Sequence, residues 1–407
     1  MTATPRAAVH VERPLPTAAI VGIFALIGLN LRTTFGAVPP LLDDIGDDLG
    51  LSGIAVSLLT AIPIVCLGAL APPAQWLARR IGHEQLTALA LLLLTVAETL
   101  RLAGHVVGLL YLSTFLSGTA MGAVSTVMPG LIGHHVRRRP GFGAGVYSMA
   151  MATGSTIAAW ASVPLAEALG GWNRSLASWA VPTAVCTLAW LLVFPRLLRG
   201  DQLKAASDVA AETDVHGLPW RSRTAWLITY YFALNTFLGF SILTWLAPAY
   251  LDRGWSAASA SHLLSAFFAV QVVAMIVFPA ITDRTRDRRP LLALSIGCSA
   301  LGTLGLAAAP DLAWMSVVLY GLGLGGGFAL GLVLLVDVTS SRGEAARLSA
   351  MVFLLSYCLA ALGPVMVGAL RDLTGSFTLA FWILSIIAFA HLAVVPALRP
   401  GRLLEPA

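Results

Sequence analysis

The chain has 407 residues, of which 57% are hydrophobic and only 11% are charged, and its mean hydropathy is +0.83. Soluble domains carry roughly a quarter charged residues, so this composition excludes a soluble globular protein and predicts an integral membrane protein. The net charge of +5 would suggest a nucleic-acid partner in a soluble chain. In a membrane protein, the distribution of the basic residues between the loops on the two sides of the membrane must be considered first. The four cysteines lie inside apolar runs and form no CxxC pair, so we expect neither a disulfide framework nor a metal site.

Apolar segments long enough to cross a membrane recur along the chain. Crossing a hydrocarbon core of ~30 Å takes ~20 apolar residues in a helix. Six such segments precede a hydrophilic break, at about 17 to 42, 53 to 77, 86 to 104, 106 to 132, 142 to 165 and 175 to 195, and six follow it, at about 225 to 250, 257 to 281, 290 to 309, 312 to 336, 347 to 370 and 375 to 397. The sequence therefore predicts a tail at 1 to 16, a six-helix bundle at 17 to 195, a linker at 196 to 224, a second six-helix bundle at 225 to 397 and a tail at 398 to 407.

The distribution of basic residues over the loops predicts the orientation in the membrane. Cytoplasmic loops of membrane proteins carry an excess of arginine and lysine. Alternate loops and both tails of this chain are rich in arginine, for example at Arg79 and Arg80, at 137 to 139 and at 284 to 289, whereas the intervening loops are poor in it and include the acidic stretch DDIGDD. We therefore expect both termini in the cytoplasm of a cell and no nucleic-acid partner.

An internal repeat indicates two related halves. The segment from Ser52 to Arg80 and the segment from Ser256 to Arg284 each contain one span and the basic turn that follows it, at the same spacing and half a chain length apart. Two six-helix halves related by an axis along the membrane normal produce this pattern.

These features resemble the major facilitator superfamily, whose signature in the same basic turn is Gly-x-x-x-Asp-Arg-x-Gly-Arg-Lys. The second half keeps Asp283 and Arg284, whereas in the first half the signature aspartate is replaced by Arg79. The stretches NLRTTFGAVPPLLDDIGDDLGLS, LLTAIPIVCLGALAPPAQWLARRIGHE, TWLAPAYL and LSAMVFLLSYCLAALGPVMVGALRDLTGS are similar to the cyanate/nitroimidazole permease family of that superfamily. The resemblance implies an all-α fold of twelve transmembrane helices in two pseudo-symmetric bundles, a monomer, and transport of small molecules by alternating access.

Arg32 is the first candidate for a cargo contact. It lies about fifteen residues into the first span, which at 1.5 Å per residue places it near the middle of the bilayer. A charge there costs at least ~2.5 kcal/mol, so we expect the side chain to face the bundle interior and to have a partner. A guanidinium can hold a carboxylate or a small oxyanion through two parallel hydrogen bonds. The alternative is a structural ion pair with Glu98 on the third span, and the two roles can alternate between states.

Glu98 is the carboxylate within the helices that best suits proton coupling. It lies toward the outer end of the third span, three residues before Arg101, and residues at this spacing can pair along one helix. An interfacial ion pair with Arg101 and a proton-coupling site are both consistent with the sequence, and the ion pair is the favoured interpretation.

Polar groups near the middle of other spans predict the rest of a binding pocket. These candidates are Tyr147, Tyr231, Asn235, Trp245, Gln271 and Tyr357. Each can equally serve as a hydrogen-bonding contact between helices. Arg79, Arg80, Asp283 and Arg284, in the two basic turns, are candidates for a cytoplasmic gate, although topology alone also accounts for the arginines.

The favoured function is secondary active transport, because the sequence contains no GxxxxGK[ST] motif and no cytoplasmic segment long enough for an ATPase domain. A small organic or inorganic anion moved together with protons suits Arg32, and export of small neutral aromatic or nitro-heterocyclic drugs is the alternative. A non-transporting membrane sensor or scaffold is an alternative of another class. We find no candidate nucleophile, acid/base pair or metal cluster, so we expect neither enzymatic activity nor a cofactor.

Overall fold

The computed structural model describes residues 16–136, 140–202, 218–282, 287–339 and 342–398. Its secondary-structure elements are all helices. The first half contains α1 (Thr17–Leu31), α2 (Thr33–Ala37), α3 (Leu42–Leu49), α4 (Gly53–Ala69), α5 (Ala71–Ile81), α6 (His83–Leu100), α7 (Val107–His135), α8 (Pro140–Leu169), α9 (Trp172–Ser178) and α10 (Ala180–Gln202). The second half contains α11 (Arg223–Leu251), α12 (Ala257–Thr282), α13 (Arg289–Ala308), α14 (Ala313–Asp337), α15 (Arg342–Ala360), α16 (Leu362–Thr374) and α17 (Thr378–Leu392).

The membrane-spanning architecture agrees with the prediction, but the count of spans differs. Within the described ranges, ten helical segments are long and apolar enough to cross a membrane, and the pair α4 and α5, bent by 56° at Leu70, makes an eleventh if it is one span. The predicted fifth span corresponds to α8, which has 30 residues but does not reach the same hydropathy. The lower hydropathy follows from its composition, because α8 is rich in Gly, Ser and Thr, and part of this helix packs against α1, α2 and α12.

Close backbone contact joins α8 to the first span. A Cβ atom at Gly154 would overlap the carbonyl group of Leu29, and a Cβ atom at Gly36 would overlap the carbonyl group of Ser155. Small residues let the backbones of membrane helices approach in this way. The first span is therefore held against α8 on both sides of Arg32.

The first span is interrupted at Arg32, between α1 and α2. Arg32 has φ −111° and ψ 12°, outside the helical region. The Ser155 hydroxyl donates to the Arg32 carbonyl oxygen at 3.1 Å, and the Thr33 hydroxyl donates to the Asn30 carbonyl oxygen at 3.0 Å. Side chains that enter the backbone hydrogen-bond ladder are a recognised cause of helix breaks. The break leaves the arginine between two helical segments of one span.

We refer to the two ends of the bundle by their charge. The acidic end carries the aspartates of α3 and the turns at 50–52, 104–106, 170–171, 252–256 and 375–377, and the basic end carries the turns at 82, 218–222 and 287–288. The halves contact each other through α4 with α15 and α16, and through α8 with α12. A cavity lies between the halves, on the basic side of most of these contacts.

Candidate functional site

The cavity between the halves has a volume of about 210 Å³ and receives side chains from both. It is bordered by the α1–α2 break and by α8, α11, α12, α14 and α15. The aromatic side chains that line it are Phe35, Phe240, Phe267, Phe268, Phe328 and Tyr357. The polar and charged side chains that line it are Arg32, Ser148, Ser155, Asn235, Thr236 and Gln271. Four of the predicted site residues, namely Arg32, Asn235, Gln271 and Tyr357, therefore meet at one cavity.

Arg32 contributes the one charged side chain in this lining, within the part of the chain that the structure describes. Its guanidinium carbon lies 5.6 Å from the centroid of the Phe35 ring. The alternative ion pair with Glu98 is not formed, because that carboxylate accepts a hydrogen bond from Thr33 instead. The arginine is thus available to a negatively charged group that enters the cavity.

Tyr147 does not line the cavity. It is buried on α8, and its backbone carbonyl is close to Gly28 of α1. The tyrosine therefore packs between α8 and the first span, on the side of the first half.

Tyr231 and Trp245 are placed outside the cavity. The Tyr231 hydroxyl donates to the carbonyl oxygen of Gly327 at 2.6 Å, and the Trp245 indole N–H donates to the carbonyl oxygen of Pro364 at 2.8 Å. Both side chains are fully buried. Buried tyrosine and tryptophan normally direct their polar atom to such a partner. In this geometry the two residues join α11 to α14 and to α16 and do not line the cavity.

Glu98 and Arg101 are fully buried within the protein, where no solvent reaches their charged groups. Their charged groups also form no direct ion pair. The Thr33 hydroxyl donates to Glu98 Oε1 at 3.3 Å, and Arg101 Nη2 donates to the Thr34 hydroxyl at 3.3 Å. Both side chains turn from α6 and the following turn toward the first residues of α2, because these hydroxyl groups are the polar partners that the buried surroundings provide. The Glu98 carboxylate and the Arg101 guanidinium therefore both contact α2, next to the helix break that contains Arg32.

The predicted basic gate is only partly within the described residues. Arg79 and Arg80 are exposed at the end of α5, and the guanidinium carbon of Arg80 lies 4.0 Å from the centroid of the Trp76 ring. Asp283 and Arg284 fall outside the described residues. The gate at this end stays a prediction.

The acidic end carries inter-half contacts that the sequence analysis missed. Arg371 donates to Asp43 at 2.8 Å, and Asp372 accepts hydrogen bonds from the backbone N–H groups of Gly53 at 2.7 Å and Ile54 at 3.0 Å. We call this group of residues the acidic-end contact. Its partners are more than 300 positions apart in the chain, so no local pattern in the sequence pairs them. The adjacent Arg and Asp at the end of the eleventh predicted span are the one available signal.

Two further hydrogen bonds between the halves lie deeper along the same seam. The Thr244 hydroxyl donates to the Thr60 hydroxyl at 2.9 Å, and the Ser261 hydroxyl donates to the Ala159 carbonyl oxygen. Along α8, α11 and α12, these residues are closer to the acidic end than the residues that line the cavity. The cavity is thus closed from the acidic end by polar contacts between the two halves.

A fold of two helical halves around a closed-ended central cavity, set in a bundle of apolar helices, defines a membrane transporter. The sequence model of the Major Facilitator Superfamily matches residues 20–360 and 234–406, so the chain belongs to that superfamily. It is a multi-pass membrane transporter rather than an enzyme.

Three curated transporters are similar to the chain over most of its length. It is 31% identical over 356 residues to the cyanate transport protein CynX of Escherichia coli (strain K12), covering 87% of this chain and 90% of that protein. It is 28% identical over 379 residues to the 2-nitroimidazole transporter of the same organism, covering 93% of both proteins. It is 28% identical over 385 residues to the uncharacterized transporter YycB of Bacillus subtilis (strain 168), covering 94% of this chain and 92% of that protein.

Solved structures show the same fold at low sequence identity. The D-xylose-proton symporter has a TM-score of 0.73 at 15% identity, covering 95% of this chain and 98% of that one. A bacterial homolog of the human lysosomal transporter Spinster, in an inward-facing and occupied conformation, has a TM-score of 0.72 at 13% identity, covering 94% of this chain and 96% of that one.

Proposed function

We propose that this transporter moves a small organic or inorganic anion, cyanate-like or carboxylate-like, and that Arg32 binds the anion. The observation that carries the proposal is the position of the Arg32 guanidinium in the cavity without a carboxylate partner among the described residues. A charge-assisted, bidentate hydrogen bond to a planar anion is the interaction for which this side chain is best suited. The similarity to a cyanate transport protein supports an anionic cargo.

Alternating access follows from the distribution of contacts between the halves. The acidic-end contact and the Thr60–Thr244 hydrogen bond hold the halves together on one side of the cavity. Release of these bonds, with closure of the basic end, would expose the same cavity to the other side of the membrane. We place the acidic end outside and both termini in the cytoplasm, because arginines concentrate in the loops at the basic end. The protein would act as a monomer in the cytoplasmic membrane.

Proton coupling is assigned to Glu98. Its Oε2 atom is buried and has no hydrogen-bond partner among the described residues, and its other oxygen contacts Thr33, the residue after Arg32. Protonation of this carboxylate would remove the negative charge that offsets the charge of buried Arg101. The resulting change in electrostatic energy would act on the first residues of α2, next to the helix break. Intramembrane carboxylates that have polar neighbours commonly serve as proton relays. The alternative is a purely structural charge pair.

Export of small neutral nitro-heterocyclic compounds is the second candidate. The six aromatic side chains that line the cavity favour it, as does the similarity to a 2-nitroimidazole transporter. Under this alternative the Arg32 guanidinium would stabilise the α1–α2 break and would not bind cargo.

Counterflow in proteoliposomes tests the proposal. Vesicles that contain the purified protein are loaded with cyanate or acetate, and entry of the labelled anion is measured for the unmodified protein, Arg32→Gln and Arg32→Lys. Loss of a hydrogen bond to a charged group costs ~1.5–3 kcal/mol, so Arg32→Gln should weaken apparent affinity by roughly ten- to a hundredfold. Arg174→Gln is the matched control, because this arginine is exposed and donates to the carbonyl of Leu169 away from the cavity. Anion counterflow that is equal in Arg32→Gln and in the control would contradict the proposal.

A further inference from the structure

The cavity has a much larger volume than the simplest anions that Arg32 can bind. An apolar cavity of about 150 Å³ holds a benzene molecule. The cavity here measures about 210 Å³, which accommodates one ring together with one small substituent. A triatomic anion would contact the arginine but leave most of the apolar wall facing water. The dimensions therefore favour a cargo that carries a ring.

The apolar wall beside Arg32 consists of aromatic rings in mutual contact. The Arg32 guanidinium carbon is 5.6 Å from the Phe35 ring centroid, Phe35 is 5.4 Å from Phe240, and Phe240 is 6.2 Å from Tyr357. Phe35 belongs to the first half, whereas Phe240 and Tyr357 belong to the second. Aromatic rings prefer offset-stacked or edge-to-face neighbours at centroid distances of ~4.5–7 Å. The row of rings thus offers a flat aromatic molecule partners from both halves of the protein.

The polar groups restrict the substituents of that ring. Arg32 lies at one end of the row, and the amides of Asn235 and Gln271 line the cavity on α11 and α12. No carboxylate lies in the lining within the described ranges, so a positively charged group would meet Arg32 without compensation. A single carboxylate matches the two parallel donors of a guanidinium.

We infer that the preferred cargo is a single-ring aromatic carboxylate, and this inference rests on the proposed anion transport. Its carboxylate binds Arg32, and its ring lies against Phe35, Phe240 and Tyr357. Because the ring contacts both halves at once, binding would also draw the halves together around the cargo. The amides of the second half remain free to hydrogen-bond a polar ring substituent.

The first test measures binding to the unmodified protein, because its result does not depend on whether a variant folds. The dissociation constants of benzoate, acetate, cyanate and nitrobenzene are measured by calorimetry on the purified protein in nanodiscs. Burial of a benzene ring should make benzoate bind at least about tenfold more tightly than acetate or cyanate. Nitrobenzene has the same flat shape and a planar two-oxygen group but no charge, so we expect it to bind at least about tenfold more weakly than benzoate.

Two variants then locate the ring. Phe240→Leu preserves apolar volume but removes one ring from the row, so it should weaken the binding of benzoate severalfold more than the binding of acetate. Phe389→Leu makes the same substitution at an exposed position on α17 and should change neither. Equal weakening of benzoate and acetate in Phe240→Leu would overturn the inferred ring position.

The outcomes separate this inference from the function on which it rests. Acetate and cyanate binding as tightly as benzoate, and lost in Arg32→Gln, would overturn the aromatic cargo while leaving anion transport in place. Nitrobenzene binding as tightly as benzoate, and unaffected by Arg32→Gln, would overturn both in favour of neutral cargo. Benzoate binding that depends on Arg32 and Phe240 supports both.

Discussion

The side-chain carboxylate of Asp372, near the end of α16, accepts a hydrogen bond of 2.7 Å from the backbone N–H of Gly53, the first residue of α4. The adjacent N–H of Ile54 donates to the same carboxylate. The first N–H groups of a helix have no partner within it, and a negative charge there also interacts favourably with the helix dipole. One half of the transporter therefore caps a helix of the other. Gly53 permits this approach, because a Cβ atom there would lie 2.8 Å from the carbonyl oxygen of Gly368.

Substitution of Asp372 should open the acidic end. Asp372→Ala removes two hydrogen bonds to an exposed carboxylate, and hydrogen bonds to charged groups contribute ~1.5–3 kcal/mol, so the ratio of closed to open molecules should fall by up to about tenfold. Spin labels at exposed positions Asp47 and Leu373 report the distance between the halves. Asp48→Ala is the matched control, because Asp48 pairs with Trp172 and His105 within one half. An unchanged distance distribution in Asp372→Ala would show that the cap does not stabilise closure.

The Arg371–Asp43 ion pair should show coupling in a double-mutant cycle. Its two side chains are 30% and 20% exposed, and the Arg371 guanidinium carbon also lies 4.9 Å from the Phe377 ring centroid. Arg371→Gln and Asp43→Asn should each raise the open fraction, and the double variant should be less affected than the sum of the two. We expect a coupling energy of ~1 kcal/mol. Strictly additive effects on the same distance distributions would mean that the two residues act independently.

The contact of α8 with the first span predicts a position-specific loss of stability. In Gly154→Ala the added methyl group would overlap the Leu29 carbonyl, so apparent stability should fall by ~1–3 kcal/mol. Gly145, on the same helix, has no atom within 4 Å of the position where a Cβ would be placed. Gly145→Ala should therefore be neutral or stabilising by up to ~1 kcal/mol, since alanine is the better helix former. Thermal unfolding of both variants in detergent compares them, and equal midpoints would contradict the close contact.

Substitution of Glu98 separates proton coupling from a structural role. Glu98→Gln retains the size of the side chain and its ability to accept from Thr33, but it cannot release a proton. We expect it to lose accumulation of anion driven by a pH gradient while retaining counterflow, which needs no net proton movement. Gradient-driven accumulation that survives in Glu98→Gln would assign the residue to the structure alone.

Arg101 supplies the companion test. Glu98→Gln leaves the fully buried Arg101 guanidinium without its nearby negative charge, which should lower the free energy of unfolding. Arg101→Met combined with Glu98→Gln removes both charges and should recover much of that loss. Transport measured in the double variant distinguishes lost coupling from lost folding. Recovery of stability without recovery of gradient-driven accumulation is the expected result.

The class of protein and the membrane-spanning helical fold could be predicted from the sequence alone, whereas the role of Arg32 stays a prediction. The sequence predictions rest on the length of apolar runs, the alternation of arginine-rich loops, and the high cost of a charge in the middle of a span. The count of twelve spans was less secure, because the small and weakly polar residues of α8 lower its hydropathy.

Which polar residues reach the cavity and which join helices depends on how the helices pack in three dimensions. Tyr231 and Asn235 are one helical turn apart on α11, yet the first donates to Gly327 and the second lines the cavity. The aromatic wall had no sequence signal, since a phenylalanine that faces cargo and one that faces lipid occur in equally apolar helices. The acidic-end contact likewise depends on residues more than 300 positions apart. Composition and periodicity report the environment of each helix, whereas a binding site and a gate are defined by the side chains that helices from distant parts of the chain bring within hydrogen-bonding distance.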